Sequence, residues 1–379
     1  MSAIASAVAR LRGHPSRHAV GPIGIDFALE EVHLVQLESA ENGALQVRAR
    51  ATLPFETSRS ETLADPLVFK RLIKKALATD DFHGRKCVLA VPSDRFRTVS
   101  INYRSGPSKE QEAAAVVKVM KDRLSGNLQD YVLDYLPVTS RTKADERLAL
   151  VAICERAKVM SLLEFSRRSK LDVQALEIGP ISVSRLVGAY AESEGAANVM
   201  VINSGRRASY LTLLCGSDLL FDQEVAFGES NLIRQVAETL DMPEDMTRGL
   251  ILRTGVRSKA ESASLAEAVD EMGIVNVLSE ILKPHFLKLV EEIKRVFQYA
   301  AAETRGGAVA RVYLLGSVAR WPGSDGLLSA MTGVAVENMP NPLAKFMSAE
   351  CAAIATADNS APELSVATGL SLRGMRPHG

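Results

Sequence analysis

The sequence lacks the features that mark nucleic-acid-binding and disulfide-stabilised proteins. Its 45 Lys and Arg residues are balanced by 45 Asp and Glu residues, so the net charge is zero. Binding to nucleic acid normally rests on an excess of positive charge, and we expect no nucleic-acid partner. The four cysteines, at positions 87, 154, 215 and 351, are too few and too widely spaced for a disulfide framework or a zinc knuckle. We expect buried thiols in a reducing compartment.

Long apolar runs are also missing. A membrane-spanning helix needs about 20 nearly continuous apolar residues, and the longest clean run, Leu148–Cys154, is far shorter. We therefore expect a protein that does not itself cross a membrane. Residues 1–20 lack the basic and apolar regions of a secretory signal, and we expect a flexible tail there. Because Ile4, Val8 and Leu11 share one helical face, a short membrane-surface or partner helix remains the alternative for this tail.

Histidine is scarce, with six residues at positions 14, 18, 33, 83, 285 and 378. None stands at the close, paired spacing from acids or cysteines that is typical of metal ligands. We expect no metal site and no histidine-based catalysis. What the chain does contain is 47% hydrophobic and 24% charged residues over 379 positions. This composition is typical of a globular protein of two or three domains with a large core.

A strand pattern occurs twice along the chain. Alternating apolar residues predict three consecutive strands in the first half: Ile23–Phe27, Val32–Glu38 and Ala44–Leu53. The same alternation predicts three more in the second half: Val199–Asn203, Ser209–Leu214 and Leu219–Val225. A repeat on this scale predicts two lobes of like construction. Sheets interleaved with amphipathic helices predict an α/β class for both lobes.

Residues 96–171 have the pattern of an α+β unit inserted into the first lobe. They contain predicted strands and helices in this order: Arg97–Tyr103, Lys109–Leu124, Tyr131–Val138, Arg147–Cys154 and Lys158–Ser169. The other boundaries that we expect are a first lobe over 21–95 that returns over 172–197, a second lobe over 198–374 and a tail over 375–379. A long helical pattern runs over Ala263–Glu303, and we expect Pro284 to break or kink it.

Several stretches carry a resemblance to a known family: Leu89–Ser93 (LAVPS), the run LLFDQEVAFGESN that ends at Asn231, Val309–Gly323 (VARVYLLGSVARWPG) and Ala367–Gly374 (ATGLSLRG). In this order and spacing they resemble the PilM family of type IV pilus assembly proteins, and the likeness covers about Ile23 to Gly374. The position of the inserted unit is similar to that in PilM and in the cell-division protein FtsA. The resemblance implies a duplicated, actin-like (ribonuclease H-like) two-lobed fold with an inserted subdomain.

The resemblance also implies partners and a location. PilM-like proteins bind the short cytoplasmic N-terminal segment of PilN, an inner-membrane protein, beside the inserted subdomain. They thereby join the other alignment-complex and motor proteins of the pilus. For this chain the resemblance implies a cytoplasmic scaffold that is held at the inner membrane through its partner. It carries over no individual residue of the docking groove. A groove that binds a short apolar peptide is compatible with the neutral net charge.

A nucleotide cleft is implied as well, but its turns depart from the pattern of an active ATPase. In actin-like ATPases, two turns that begin Asp-x-Gly hold the phosphates and a hydrated Mg²⁺ ion. The first turn here keeps Asp26, but Ala28 replaces the glycine, and Glu30 and Glu31 stand where small hydroxyl residues are expected. His33 stands where lysine is common in the family. We expect Asp26 to serve a metal ion only if Mg-ATP binds.

The second and third turns are incomplete in other ways. Asn203 replaces the metal-organising acid, Gly205 is kept, and Arg206 and Arg207 follow it. At the third turn only Gly316 remains of the expected glycine pair. We expect a degenerate nucleotide site without catalytic residues or a bound cofactor. In this site the two arginines are predicted to pair with the two glutamates of the first turn across the cleft.

Two alternatives remain open at this point. The first is a weak ATP-binding protein or slow ATPase, in which Asp26 orders Mg²⁺ and the arginines contact the phosphates. The second is an FtsA-like filament former at the membrane, which would need a C-terminal amphipathic helix. Residues 375–379 contain a single apolar residue, which speaks against that helix. We expect a scaffold rather than an enzyme.

Overall fold

Three β-sheets form the framework of the described part of the chain. A computed structural model describes residues 19–104, 106, 108–124, 126–138, 146–190, 198–216, 218–256, 269–304, 306–339, 341–347 and 363–375. In chain order the strands are β1 (Val20–Phe27), β2 (Glu31–Ser39), β3 (Leu45–Pro54), β4 (Lys86–Val91), β5 (Phe96–Arg104), β6 (Tyr131–Val138), β7 (Glu146–Glu155), β8 (Asp172–Ile178), β9 (Asn198–Ser204), β10 (Ser209–Cys215), β11 (Asp218–Val225), β12 (Val309–Gly316) and β13 (Val336–Met339).

Two of the sheets follow the same plan. The first has the order β3-β2-β1-β4-β8 and the second the order β11-β10-β9-β12-β13. In each, three antiparallel strands are followed by two parallel ones. The predicted repeat of three strands is therefore confirmed, and so is the α/β class of both lobes. The positions at which the lobes begin and end stay a prediction.

The third sheet is small and antiparallel, with the order β5-β7-β6. Its three strands were predicted from residues 96–171. One face is covered by a helix whose Val116 and Met120 pack against Ile101 and Val151 of the sheet. The side chain of Ser108 accepts a hydrogen bond of 3.3 Å from the backbone N–H of Gln111 and so caps this helix.

Helices cover the faces of the two large sheets. In chain order the helices are α1 (Arg59–Thr62), α2 (Pro66–Leu77), α3 (Lys109–Arg123), α4 (Arg156–Arg168), α5 (Gly179–Tyr190), α6 (Glu229–Leu240), α7 (Glu244–Thr254), α8 (Val269–Glu303), α9 (Ser324–Thr332) and α10 (Ser365–Ser371). Alternate residues of β2 pack in different cores, because each face of the sheet is covered. Leu34 packs with Phe69 of α2, whereas Val35 packs with Val201 and Leu315 in a core that both lobes share.

Helix α8 corrects one half of the prediction for Pro284: the helix is not broken there, and the kink stays a prediction. Pro284 lies inside it, and the helix continues without a break to Glu303. The proline is exposed, and it removes one backbone hydrogen bond from the helix. On the opposite face Leu282, Phe286 and Leu289 are fully or almost fully buried in the core of the second lobe. Burial of each such side chain contributes about 1.5–3 kcal/mol, which outweighs the local cost of the proline.

The last helix, α10, packs on the first large sheet, against β1, β2 and β4, although it lies near the end of the chain. It packs against β1 and α5 at two glycines. A side chain on Gly24 would clash with the carbonyl oxygen of Ala367, and a side chain on Gly369 would clash with the carbonyl oxygen of Ser182. These close approaches bring the segment before α10, which begins with Glu363 in the described chain, next to the start of β2.

Two further predictions concern thiols and membrane spans. Cys87 and Cys154 are buried free thiols, as expected, and Cys215 is partly buried; Cys351 and the predicted tail residues 1–18 lie outside the described residues. Among the helices of the described ranges, none is both long enough and apolar enough to cross a membrane.

Candidate functional site

A cavity opens between the hairpin turns that join β1 to β2 and β9 to β10. Its empty volume is about 930 Å³, part of it open to solvent, and residues of both large sheets line it. Most of the residues predicted from the sequence for the nucleotide site lie in its wall: Asp26, Asn203, Gly205 and Arg206. Arg207 stands next to Arg206 at the exposed rim. The fold thus brings together residues that lie far apart in the sequence.

Gly316 packs behind the second turn. Its backbone φ is +83°, a conformation that favours glycine, and a side chain there would clash with the carbonyl oxygen of Ser204. The hydroxyl of Ser317 donates a hydrogen bond of 3.1 Å to the same carbonyl. Gly316 therefore supports the end of β9. Its contact with a nucleotide stays a prediction.

The two turns are joined by ion pairs across the cleft. Arg206 lies 3.3 Å from Glu30 through Nη1 and 3.3 Å from Glu31 through Nη2. The Nε atom of Arg207 lies 3.1 Å from Glu30. The predicted pairing of the two arginines with the two glutamates is confirmed. A fourth carboxylate contact, between Arg206 Nε and Glu363 Oε1 at 3.8 Å, was not predicted.

The two arginines differ in how much they contribute to this cluster. The side chain of Arg207 is 68% exposed, and an exposed ion pair contributes about 0.2–1 kcal/mol. Arg206 is 36% exposed and faces three carboxylates. Burial disfavours its charge, but Glu31, Glu363 and Glu30 outweigh that effect and raise the pKa of Arg206. Arg206 is therefore the central cation of the cleft.

The backbone of the second turn is held by helix α6. The N–H groups of Glu229 and Ser230, in the first turn of the helix, donate hydrogen bonds of 3.1 and 2.8 Å to the carbonyl oxygens of Gly205 and Arg206. These N–H groups have no partner within the helix itself. A side chain on Gly228 would clash with the backbone of Arg207. The close fit fixes the direction in which the arginines leave the turn.

Glu229 also anchors a buried network behind the turn. Its side chain is fully buried and accepts hydrogen bonds from Arg248 at 2.7 Å, from Arg320 at 3.3 Å and from the indole N–H of Trp321 at 3.2 Å. A buried carboxylate needs partners of this kind to offset its desolvation. Trp321 itself is almost fully buried in the core of the second lobe, so its role is packing.

Two partly buried carboxyl groups line the cavity. Burial raises the pKa of Asp26 to about 7, against the opposing charge of Arg59. Burial also raises the pKa of Asp222 to about 7, although Thr212 donates a hydrogen bond of 2.7 Å to its carboxylate. Asp222 was missed by the sequence reasoning. At neutral pH both groups carry a proton for much of the time, and a protonated carboxyl is a poor partner for the waters around Mg²⁺.

A second group of side chains lies beside the ion pairs. His33 is almost fully buried, and its Nδ1 atom lies 3.1 Å from the hydroxyl of Thr52. Its Nε2 atom lies 3.9 Å from Glu31 Oε2 and 3.9 Å from Glu363 Oε2. Burial and the nearby charge of Arg206 lower the pKa of His33 to about 4, so the ring is neutral. Burial raises the pKa of Glu363 to about 7.

This group contradicts the argument from histidine spacing. Glu31 and Glu363 each place a carboxylate oxygen, and His33 a ring nitrogen, within 4.8 Å of one another. The spacing of the histidines therefore did not reveal that His33 lies beside two acids, and the expectation that no metal binds stays a prediction. Part of this group could have been found in the sequence, since Glu31 and His33 lie two residues apart on one strand and so share one face of the sheet. Glu363 comes from a distant segment and has no local signal.

The repeated sheets and the cleft between their turns define the class of protein. The fold is that of the actin-like ATPases. A structure described as the PilM–PilN type IV pilus biogenesis complex is 20% identical and has a TM-score of 0.70; the match covers 94% of this chain and 99% of that one. The ethanolamine utilization protein EutJ from Carboxydothermus hydrogenoformans is 11% identical with a TM-score of 0.51, over 94% of this chain and 90% of that one.

The family follows from the sequence match. The family model of the type IV pilus assembly protein PilM matches residues 24–375. The chain belongs to the PilM family.

Proposed function

We propose that this PilM-family protein is a non-catalytic, actin-like scaffold of a type IV pilus or a related secretion machine. It docks the N-terminal cytoplasmic segment of a PilN-like inner-membrane protein and meets the other alignment-complex and motor proteins through that assembly. The docking holds it at the cytoplasmic face of the inner membrane. Family membership and the likeness to a structure of a PilM–PilN complex support a PilN-like partner.

One observation carries the non-catalytic part of the proposal: the ion pairs that link the two turns. In an actin-like ATPase this space is taken by phosphates. A phosphate that entered here would come close to Glu30 and Glu31, and two like charges about 4 Å apart repel each other by about 4 kcal/mol at an effective dielectric near 20. It would also have to draw Arg206 away from its carboxylates.

The residues that should organise Mg²⁺ support the same proposal. Asn203 offers a neutral amide in place of an acid. Asp26 is held partly protonated by its burial. A cation would recover some charge from Asp26 by lowering its pKa, but the free energy of that deprotonation is taken from the binding of the metal. We therefore expect Mg-ATP to bind weakly or not at all.

The docking is tested with a synthetic peptide of the cognate PilN-like N-terminus. Fluorescence anisotropy of the labelled peptide against the full chain is expected to show saturable binding at one peptide per protein. A scrambled peptide of the same composition is the control. Equal binding of the two peptides, or no saturation by the native one, would rule out the docking as proposed.

Weak ATP binding is the second candidate, and the cavity favours it. The cavity lies between the two turns, and Arg206, whose guanidinium is a side chain suited to binding phosphate, lines it. Isothermal titration calorimetry with Mg-ATP separates the two candidates. Saturable binding below millimolar nucleotide would support the second candidate, and its absence at millimolar nucleotide would remove it.

A further inference from the structure

Three potential metal ligands converge beside the cleft. The Nε2 atom of His33 and one carboxylate oxygen each of Glu31 and Glu363 lie within 4.8 Å of one another. The side chains are 2%, 16% and 19% exposed, respectively, so the group is largely shielded from water. Glu31 and His33 stand on β2, two residues apart, and Glu363 lies just ahead of α10.

His33 is the feature that needs an explanation. Its Nε2 atom is buried and has no hydrogen-bond partner. The other ring nitrogen is within hydrogen-bond distance of the Thr52 hydroxyl. If that nitrogen carries the proton, Nε2 turns a lone pair toward two carboxylates, which is repulsive. If Nε2 carries it, the carboxylates at 3.9 Å are too far away to accept a hydrogen bond. A cation between the three groups resolves both cases.

The two carboxylates are already oriented for such a cation. Each turns its Oε1 atom toward Arg206, at 3.3 Å for Glu31 and 3.8 Å for Glu363. The Oε2 atom of each is left on the side of His33. Arg206 thus acts as a positioning residue, in the way that charged neighbours fix the orientation of metal-ligating carboxylates.

The charge of the cluster leaves room for a cation. Glu30, Glu31 and Glu363 contact only Arg206 and Arg207 among the cations of the cluster. When Glu363 is ionised, these five side chains carry one net negative charge, and the neutral ring of His33 adds none; when Glu363 is protonated, their net charge is zero. A divalent ion therefore meets no net positive charge in the cluster, and it stabilises the ionised forms of both ligating carboxylates.

We propose that Glu31, His33 and Glu363 bind one Zn²⁺ ion that fastens the segment before α10 to strand β2. An imidazole nitrogen selects against Mg²⁺ and Ca²⁺, which prefer oxygen ligands, and one nitrogen with two carboxylate oxygens suits Zn²⁺. Bond lengths of about 2.1 Å in tetrahedral geometry place ligand atoms about 3.4 Å apart. The ring nitrogen lies 3.9 Å from each carboxylate oxygen and all three atoms lie within 4.8 Å of one another, so the ion would draw the ligands closer together, and a water completes the coordination.

The site goes beyond the proposed scaffold function and does not depend on it. It joins β2 of the first lobe to a segment that follows the second lobe in the chain. The role assigned to the ion is structural, because the site links distant parts of the fold. Zn²⁺ is expected to raise the melting temperature of the full chain, whereas the same concentration of Mg²⁺ leaves it unchanged.

The test is a titration of the chelator-treated, full-length protein with ZnCl₂ in a calorimeter. The ligand variants are His33→Gln and Glu363→Gln, and the matched control is His83→Gln, which removes an exposed imidazole outside the cluster. Wild type and the control are expected to bind one equivalent, with affinity reduced at least tenfold in both ligand variants. Anomalous diffraction at the zinc edge is expected to place the ion on His33 Nε2.

Each contrary result overturns the proposal. These results are an absence of stoichiometric binding by wild type, an unchanged affinity in Glu363→Gln, and an anomalous peak away from His33. Because His33 is buried, His33→Gln could lose its fold, and near-ultraviolet circular dichroism checks this. Glu363 lies closer to the surface, so Glu363→Gln decides the matter even if His33→Gln does not fold.

Discussion

The two hairpin turns at the cleft stand at equivalent places in sheets of the same strand order, yet they differ in charge and in support. The first carries Glu30 and Glu31, and Leu29 at its tip is exposed. The second carries Arg206 and Arg207, and its carbonyl groups are hydrogen-bonded to the first turn of α6. The comparison shows that a repeated backbone plan sets where side chains meet, while the residues at the turns decide whether an anion or a salt bridge occupies the space.

The largest predicted effect on stability concerns the contact between helix α6 and the backbone of the second turn. Gly228→Ala adds a carbon that would clash with the backbone of Arg207, and backbone cannot move aside as a side chain can. We expect the free energy of unfolding to fall by about 2–3 kcal/mol, as measured by urea denaturation. The matched change in the first turn is Leu29→Ala, for which a loss below about 0.5 kcal/mol is expected at an exposed position. If the two variants lose the same free energy of unfolding, α6 does not hold the second turn more firmly than the first turn is held.

The next largest effect on stability concerns the two arginines of the second turn. Arg206→Gln removes the cation that Glu31 and Glu363 face, and both carboxylates are largely buried. We expect a loss of about 1–2 kcal/mol, below the 3–5 kcal/mol of a fully buried pair. Arg207→Gln, at a more exposed side chain, is expected to cost about 0.5 kcal/mol or less. Thermal unfolding of the two variants at low and high salt measures both losses. A larger loss in Arg207→Gln would reverse the assignment of Arg206 as the central cation.

Asp26→Asn makes the first turn resemble the second, which already has Asn203. Burial raises the pKa of Asp26 from 3.8 to about 7 in the folded chain. Through this window the folded chain keeps a proton that the unfolded chain has lost, so stability falls as pH rises. Asparagine does not titrate, and the variant is expected to gain about 1–2 kcal/mol on wild type between pH 5 and pH 8. Urea denaturation at several pH values measures this gain, and a constant difference would disprove it.

The smallest predicted effect concerns nucleotide. Glu30→Gln together with Glu31→Gln removes the negative charge that repels phosphate and releases the arginines. We expect the affinity for Mg-ATP to rise about tenfold, which corresponds to about 1.4 kcal/mol. Calorimetry of wild type and the double variant measures the change. The control is Glu41→Gln, an exposed position in the β2–β3 turn. If wild type binds Mg-ATP as tightly as the double variant, the acids do not close the cleft.

The sheets could be predicted from the sequence because the periodicity of their residues is local. Strands β1, β2 and β9 to β11 begin and end within a few residues of their predicted bounds. Helix α7 was missed, since only Thr247 and Ile251 are buried in it and its pattern is weak. The break expected at Pro284 does not occur, because the local cost of the proline is visible in the sequence while the packing of α8 against the second lobe is not.

Part of the candidate site could also be predicted from the sequence. The pairing of the two turns followed from the family's fold together with the charges at positions 30, 31, 206 and 207. Glu363 could not be found, because the packing of α10 on the first lobe brings it to the cleft. Asp222 stands opposite Thr212 in neighbouring strands, and how far it is buried depends on the packing of the rest of the fold around it. Such placements are properties of the tertiary structure.

The position of α10 has a consequence for the synthesis of the chain. This helix completes the first lobe at Gly24 and Gly369, but the ribosome makes it after all strands of the second lobe. Until then the face of β1 that α10 covers stays open, although domains usually fold in the order of their synthesis. We therefore expect the first lobe to complete its native packing only after the second lobe has been synthesised.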